Sequence, residues 1–418
     1  MKMIEKKNLL PFVLVTSLFL LWGLANNMTD TLLSAFKKIM SMSDTQTSLI
    51  QFAFYGAYFV IALPAALFIR KHSFKSGIIL GLCLYAGGAI LFLPAAKAAS
   101  YAFYLVAIYI MASGCSVLET AANPYIMSMG SPETATRRLN IAQAFNPIGS
   151  ILGILMSKVF ILKDISLYSV SGTYAALGVV LVFIMVAMLF AHMPEGRDDE
   201  SWTDTSDSRS VQTGVAATFR RLLASKLYRR GVVAQFFYVG AQIGVWSFTI
   251  RIVMQELGVS EAEAAGVYLV TIIGFCASRF IYTWLMKFFA PEKLLVFGGA
   301  MSALCSLAVV LGAGRGWLMV TALTLISVFM SLMFPTIYGI ALGGLRAESW
   351  TDASDSRSVQ SDVKIGASGL IMAILGGALL TPVQAMVSDA SNIYLSYLVP
   401  TGCFLVVLAY AIYAGRKK

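Results

Sequence analysis

SYAFYLVAIYIMASGCSVLETAANPYI, residues 100–126, contains a single charged side chain, Glu119. About 20 apolar residues carry an α-helix across the hydrocarbon core of a bilayer, so this stretch is long enough to span one. Its apolar positions are continuous rather than alternating, which excludes the two-residue period of an outer-membrane strand. Read outward from here, the chain holds eleven more stretches of the same kind, at 9–36, 48–69, 76–96, 140–162, 170–193, 227–253, 261–289, 292–312, 317–345, 365–389 and 392–415. The fold class that follows is an all-α membrane protein of twelve transmembrane helices. Composition agrees: of 418 residues, 58% are hydrophobic and 12% charged, with a mean hydropathy of +0.77, which excludes an ordinary soluble protein.

The first stretch, Leu9 to Ala25, follows Lys2, Lys6 and Lys7 in the manner of a secretory signal. No small-residue cleavage site ends it, and it continues through Asn26, Asn27 and Asp30 into another apolar turn, so it counts as the first span. With the amino terminus in the cytoplasm, inner segments hold most of the 31 Lys and Arg, among them Arg70, Lys71, Lys75, Arg137, Arg138 and the cluster from Arg197 to Arg230. Only Lys37, Lys38, Lys97, Lys158, Lys163 and Arg315 then fall outside. Both termini are expected on the cytoplasmic side of a bacterial inner membrane. The net charge of +10 belongs to this asymmetry and requires no nucleic-acid partner. The five cysteines all lie in spans without C-x-x-C spacing, and His72 and His192 stand near span ends, so no metal site is expected.

A charged stretch from Pro194 to Lys226 divides the spans six and six. The expected organisation is an N-terminal six-helix bundle at 1–193, a cytoplasmic linker at 194–226 and a C-terminal six-helix bundle at 227–418. A weak repeat supports two related halves: Leu63 to Lys71 ends the second span and leads through Lys75 into the third, while Trp284 to Lys287 ends the eighth and leads through Lys293 into the ninth. A sharper repeat is of another kind. Residues 200–212 recur at 348–360 with one change, Thr205 becoming Ala353, in loops that are not equivalent in the two halves. Diverged structural repeats do not look like this. The expectation is an introduced, engineered insert, such as an epitope through which one binder grips two cytoplasmic points; a natural regulatory motif is the alternative.

Asp30 and Glu119 lie well inside the spans. An ionised Asp at a helix centre costs about 2.5–3.5 kcal/mol, so such residues face a cavity, a partner or a transported ion. A hydrocarbon surrounding favours the neutral acid, which makes each a candidate proton carrier; a structural hydrogen bond between helices is the bland reading. Amides accompany them at helical spacing: Asn26 and Asn27 before Asp30, Asn123 one turn after Glu119, and Gln143 with Asn146 on the fifth span. Asn and Gln both donate and accept, as sugar hydroxyls do, so the set suits a neutral polyhydroxylated ligand. The seventh span adds Gln235, Tyr238, Gln242 and Trp246 along one stripe, where Trp246 would stack on a sugar or else mark the interfacial belt. Arg279 reads as a gating or helix-capping charge. Pro124 and Pro147 each remove a backbone bond within a span, so a kink or local opening is expected at both.

At these residues the chain resembles the fucose:proton symporter family of the major facilitator superfamily. The resemblance is carried by Trp22-Gly23-Leu24-Ala25-Asn26-Asn27 with Asp30, Leu118 through Pro124, and Arg138-Leu139-Asn140 with Ala142-Gln143 and Phe145-Asn146. Tyr238 through Gln242, Trp246-Ser247 and Phe334-Pro335-Thr336-Ile337-Tyr338 extend it, and it covers nearly all the chain outside the duplicated segments. It implies a substrate site near midplane between two six-helix bundles, with Asp30 and Glu119 coupling sugar to protons and Asn27, Gln143 and Asn146 lining the cavity. The paired asparagines look more like the L-fucose branch than the glucose/galactose branch. Thr29 stands where the fucose branch is expected to carry asparagine, which leaves the exact sugar open.

The expected function is therefore secondary active transport: proton-coupled uptake of L-fucose or a related hexose by alternating access. The expected form is a monomer in the lipid bilayer with no cofactor. Sugar contacts are assigned to Asn27, Asn123, Gln143, Asn146, Gln242 and Trp246. Two alternatives stand beside it: a sodium-coupled glucose/galactose-type transporter, and a membrane sugar sensor that does not move its ligand. No G-x-x-x-x-G-K-[ST] run is present, so nothing suggests an ATP site or an enzyme.

Overall fold

Backbone polar groups have no water to bond in hydrocarbon, so a chain this apolar satisfies them within helices. In a computed structural model the first half forms helical spans at Leu9–Ile39, Asp44–Lys71, Phe74–Lys97, Tyr101–Ser128, Pro132–Ile161 and Leu167–Phe190. The second half forms them at Lys226–Leu257, Glu261–Leu285, Pro291–Leu311, Trp317–Leu345, Ser361–Ala390 and Leu395–Arg416, after a linker helix at Ser208–Ala224. The structure describes residues 4, 8–40, 44–161, 166–193, 208–349 and 356–417, and within these the side chains of 25–26, 29–38, 44–48, 158, 208–213, 346–349 and 356–360 lie outside the description. Among the described residues there is no strand, and eleven helices are long and apolar enough to cross a membrane. The first span contributes a shorter apolar helix, Leu9–Leu24, within those limits.

Span ends follow from local chemistry. Ser73, Ser100, Ser166 and Ser260 each accept a backbone N–H three residues on, which satisfies a donor that a helix start leaves open. Ser260 and Glu263 complete a capping box. At the other kind of end, the Lys75 ammonium donates to the carbonyls of Leu189 and Ala191 at 2.9 and 2.8 Å, closing the last turn of the sixth span.

Three spans are interrupted near their middle: the fifth, the eleventh, and the tenth, which divides into Trp317–Met330 and Met333–Ser349. The fifth divides into Ala135–Gln143 and Asn146–Met156, with Pro147 in the first turn of the second piece, where its missing N–H costs nothing. Pro124 behaves otherwise. Tyr101–Ser128 runs past it as one helix, with Asn123, Pro124 and Tyr125 all buried, so of the kink or local opening expected there the structure shows no break. The eleventh span, which the sequence reads as continuous, gives way to a 3₁₀ turn at Ala373–Leu375 before resuming at Gly376–Ala390.

The residues form two compact units. The first comprises Met1–Ala135, Ile148–Ser225 and Gly344–Met372; the second comprises Thr136–Pro147, Lys226–Gly343 and Ala373–Lys418. The chain thus passes from unit to unit beside the break in the fifth span and beside the break in the eleventh, which are corresponding places in the two halves. Within the first unit a Cβ on Gly149 would collide with the Leu20 carbonyl oxygen, and one on Gly153 with that of Leu24. Within the second, a Cβ on Gly376 would collide with the Phe236 carbonyl oxygen. Fifth against first and eleventh against seventh are the same pairing in the two halves, a repeat legible in packing rather than in sequence. A Gly149→Leu substitution should therefore cost at least about 1–3 kcal/mol through overpacking, read as a lowered unfolding temperature in detergent.

The first unit also joins the linker helix to the start of the eleventh span. Arg221 Nε and an Nη each donate to Asp362 at 2.7 Å, and the Thr218 and Ser361 hydroxyls lie 3.1 Å apart. Asp362 is buried and Arg221 partly exposed, so the fork-shaped guanidinium covers the carboxylate, with Arg70 also within electrostatic reach of it.

Candidate functional site

In the first unit the sequence candidates gather on the first and fourth spans. Glu119 is half-buried at side-chain level, its Oε2 is fully buried, and that atom has no hydrogen-bond partner among the described residues. A buried carboxylate oxygen without a donor is costly, and the usual explanation is a proton, a water or a ligand that the site is built to take. Around it the polar neighbours are otherwise engaged. Trp22 Nε1 donates to the Tyr58 hydroxyl at 2.8 Å, Ser116 Oγ to the Tyr58 carbonyl at 3.3 Å, and the Tyr85 hydroxyl to the Leu21 carbonyl at 3.0 Å. Tyr58 and Cys115 lie within electrostatic reach of Glu119. Asn123 is fully buried one turn further on, and Asn27 bonds back to the Gly23 carbonyl at 3.2 Å. The side chain of Asp30 lies outside the described residues.

The second unit holds the rest. Gln143 is buried at the end of the first piece of the fifth span, and Asn146, half-buried, opens the second piece. Arg279 organises this region. Its Nε donates to the Ser331 carbonyl at 2.7 Å and an Nη to the Gln143 carbonyl at 2.9 Å, while its guanidinium lies 4.7 Å from the centre of the Phe275 ring. Both carbonyls stand where helices stop, at Gln143 and after Met330, so the cation caps two C-termini and meets the negative ends of both helix dipoles. Arg279 is 4% exposed and has no carboxylate partner among the described residues. On the same piece of the fifth span, Asn140 donates to Thr336 Oγ1 at 3.2 Å.

Along the seventh span, Gln242 and Trp246 are half-buried. Trp246 donates from Nε1 to Ser327 Oγ at 3.2 Å and meets Phe275 edge-on at 5.1 Å, so its indole is held in one orientation. Three residues outside the assigned contact set also belong here. Gln235 is fully buried with both amide atoms unpartnered, Tyr238 is fully buried with its hydroxyl unpartnered, and Gln384 on the eleventh span is 1% exposed with Nε2 unpartnered, all among the described residues. For Gln384 the sequence signal was slight, a lone amide in an apolar span. Its Oε1 fits against Gly244, where any Cβ would collide with it. Glu292, in the first turn of the ninth span, is a buried acid as well.

A family description, the Major Facilitator Superfamily, matches residues 15–349. The chain belongs to that superfamily. Within it, the chain is a member of the fucose:proton symporter family: the L-fucose-proton symporter of Haemophilus influenzae is 39% identical, over 99% of each chain. A glucose/galactose transporter of Brucella abortus is 33% identical, over 96% of this chain and 93% of that one. A crystal structure of the E. coli fucose:proton symporter FucP superposes with a TM-score of 0.83 at 34% identity, over 98% of this chain and 99% of that one. The sequence expectations of an all-helical major facilitator fold and of a transporter rather than an enzyme hold.

Proposed function

We propose that this major facilitator carries L-fucose, or a hexose close to it, into the cell together with a proton. The observation that carries the reading is the buried Oε2 of Glu119, which has no hydrogen-bond partner among the described residues. A proton on Glu119 removes the charge that hydrocarbon penalises and supplies a donor; loss of that proton restores an acceptor. Proton and sugar are then linked because each changes the hydrogen bonding the other meets. Sugar hydroxyls are assigned to Asn27, Asn123, Gln143, Asn146, Gln242 and Trp246 as before, and to Gln235, Tyr238 and Gln384, whose open donors and acceptors a polyol can fill. Asp30 is proposed as the second coupling acid.

Alternating access requires the ends of the broken spans to move. The Arg279–Gln143 and Asn140–Thr336 bonds in the second unit and the Arg221–Asp362 pair in the first are the polar contacts those segments would exchange. The proposed setting is a bacterial inner membrane, with both termini cytoplasmic and a monomer as the working form. The duplicated segment is read as an introduced epitope. Its copies lead into helices starting at Ser208 and Ser356 that pack on each other through Thr218–Ser361 and Arg221–Asp362, so one binder could grip both; protein made from the native gene, weighed by mass spectrometry, should lack them.

Labelled-sugar counterflow in proteoliposomes tests the assignment. Internal unlabelled L-fucose should drive transient uptake of labelled L-fucose, and D-glucose or D-galactose should compete weakly. No counterflow with any sugar would indicate a sensor, and strong preference for glucose or galactose would move the chain to the other branch.

A further inference from the structure

Away from the sugar residues, the second unit holds a cavity of about 630 Å³ between the start of the seventh span and the end of the twelfth, lined by Lys226, Arg229, Arg230, Val233, Val406, Ala409 and Tyr410. The three cations recur at three- and four-residue spacing, so they share one helix face at the span's end. None has a carboxylate partner among the described residues. Arg230 lies 3.8 Å from the centre of the Tyr413 ring, which holds its guanidinium at the rim. One turn deeper the lining becomes apolar, with Val233 exposed along the outside of the helix. Tyr410 lines the cavity at 3% exposure, while its buried hydroxyl lies toward Gly231 and within electrostatic reach of Glu292.

We infer that this cavity binds the headgroup of an anionic phospholipid. The phosphodiester sits against Lys226, Arg229 and Arg230, while an acyl chain lies along Val233, Val406 and Ala409. The order of chemistry along the groove, cations at the end and hydrocarbon beneath, is that of a lipid and not of a free anion or a sugar. Arginine suits the phosphate because its fork donates to two oxygens at once. The inference needs only that the chain spans a bilayer, and is independent of which sugar it carries.

Native mass spectrometry of the purified full chain, exchanged into neutral detergent, tests it with added phosphatidylglycerol, phosphatidylcholine or inorganic phosphate. Wild type should retain phosphatidylglycerol at least about tenfold more strongly than phosphatidylcholine, and Arg229→Gln/Arg230→Gln should erase that preference. Lys287→Gln/Lys293→Gln, another basic pair at a span junction, should change nothing. Should the glutamine pair unfold, Arg229→Lys/Arg230→Lys serves instead and should retain the preference in reduced form. Equal retention of both lipids, unchanged binding by the glutamine pair, or displacement of phosphatidylglycerol by millimolar phosphate would each overturn the inference.

Discussion

A Glu119→Gln variant should lose proton-driven sugar accumulation while continuing to exchange sugar across the membrane. Glutamine keeps the size of the side chain and offers a permanent donor, so it imitates the protonated acid and cannot release a proton. A pH difference of about 2 units can drive about a hundredfold accumulation at one proton per sugar, equivalent to about 2.7 kcal/mol. Wild-type vesicles should approach that gradient; vesicles with the variant should stop at equal concentrations inside and out, with counterflow intact. The prediction rests on Oε2 being buried and without a donor among the described residues, so that its protonation is the variable the site reads. Accumulation by the variant at the wild-type level would remove Glu119 from the coupling step.

Arg279→Gln should be the most damaging single change in the second unit. The shorter side chain cannot reach both the Ser331 and the Gln143 carbonyl, and each carbonyl left without a donor costs about 1–3 kcal/mol. The two helix ends lose the cation that their dipoles face. A lowered unfolding temperature and a fall in L-fucose counterflow of at least about tenfold are expected together, since a loss of about 1.4 kcal/mol already corresponds to that factor. Arg279→Lys should fall between, because an ammonium keeps the charge but lacks the fork. If Arg279→Gln unfolds and transports like wild type, the capping role is wrong.

The spans were legible because bilayer crossing demands a length and an apolarity that few other constraints imitate. Pro147 marked a real break because it falls where a helix can restart. Pro124 marks no break: the helix continues past it with Asn123 and Tyr125 buried, and a sequence carries no direct record of such burial. The break at Ala373–Leu375 has no proline; the Gly376-Gly377 pair after it was the available signal. Arg279 could be read as a capping charge, but its acceptors could not, since they are backbone groups 52 and 136 residues away. Gln384 was missed because its claim to function rests on what surrounds it. The assignment of 136–147 to the second unit and 344–372 to the first is likewise a property of contacts between distant segments.

The central claim is that sugar and proton cross together. A pH electrode in a lightly buffered suspension of inside-positive-free, de-energised vesicles, with sodium omitted, reads it directly when L-fucose is added. The medium should turn alkaline on addition, and an equal addition of a sugar the protein does not carry should leave the trace flat. A flat trace with L-fucose, or one that moves only after sodium is supplied, would contradict the account.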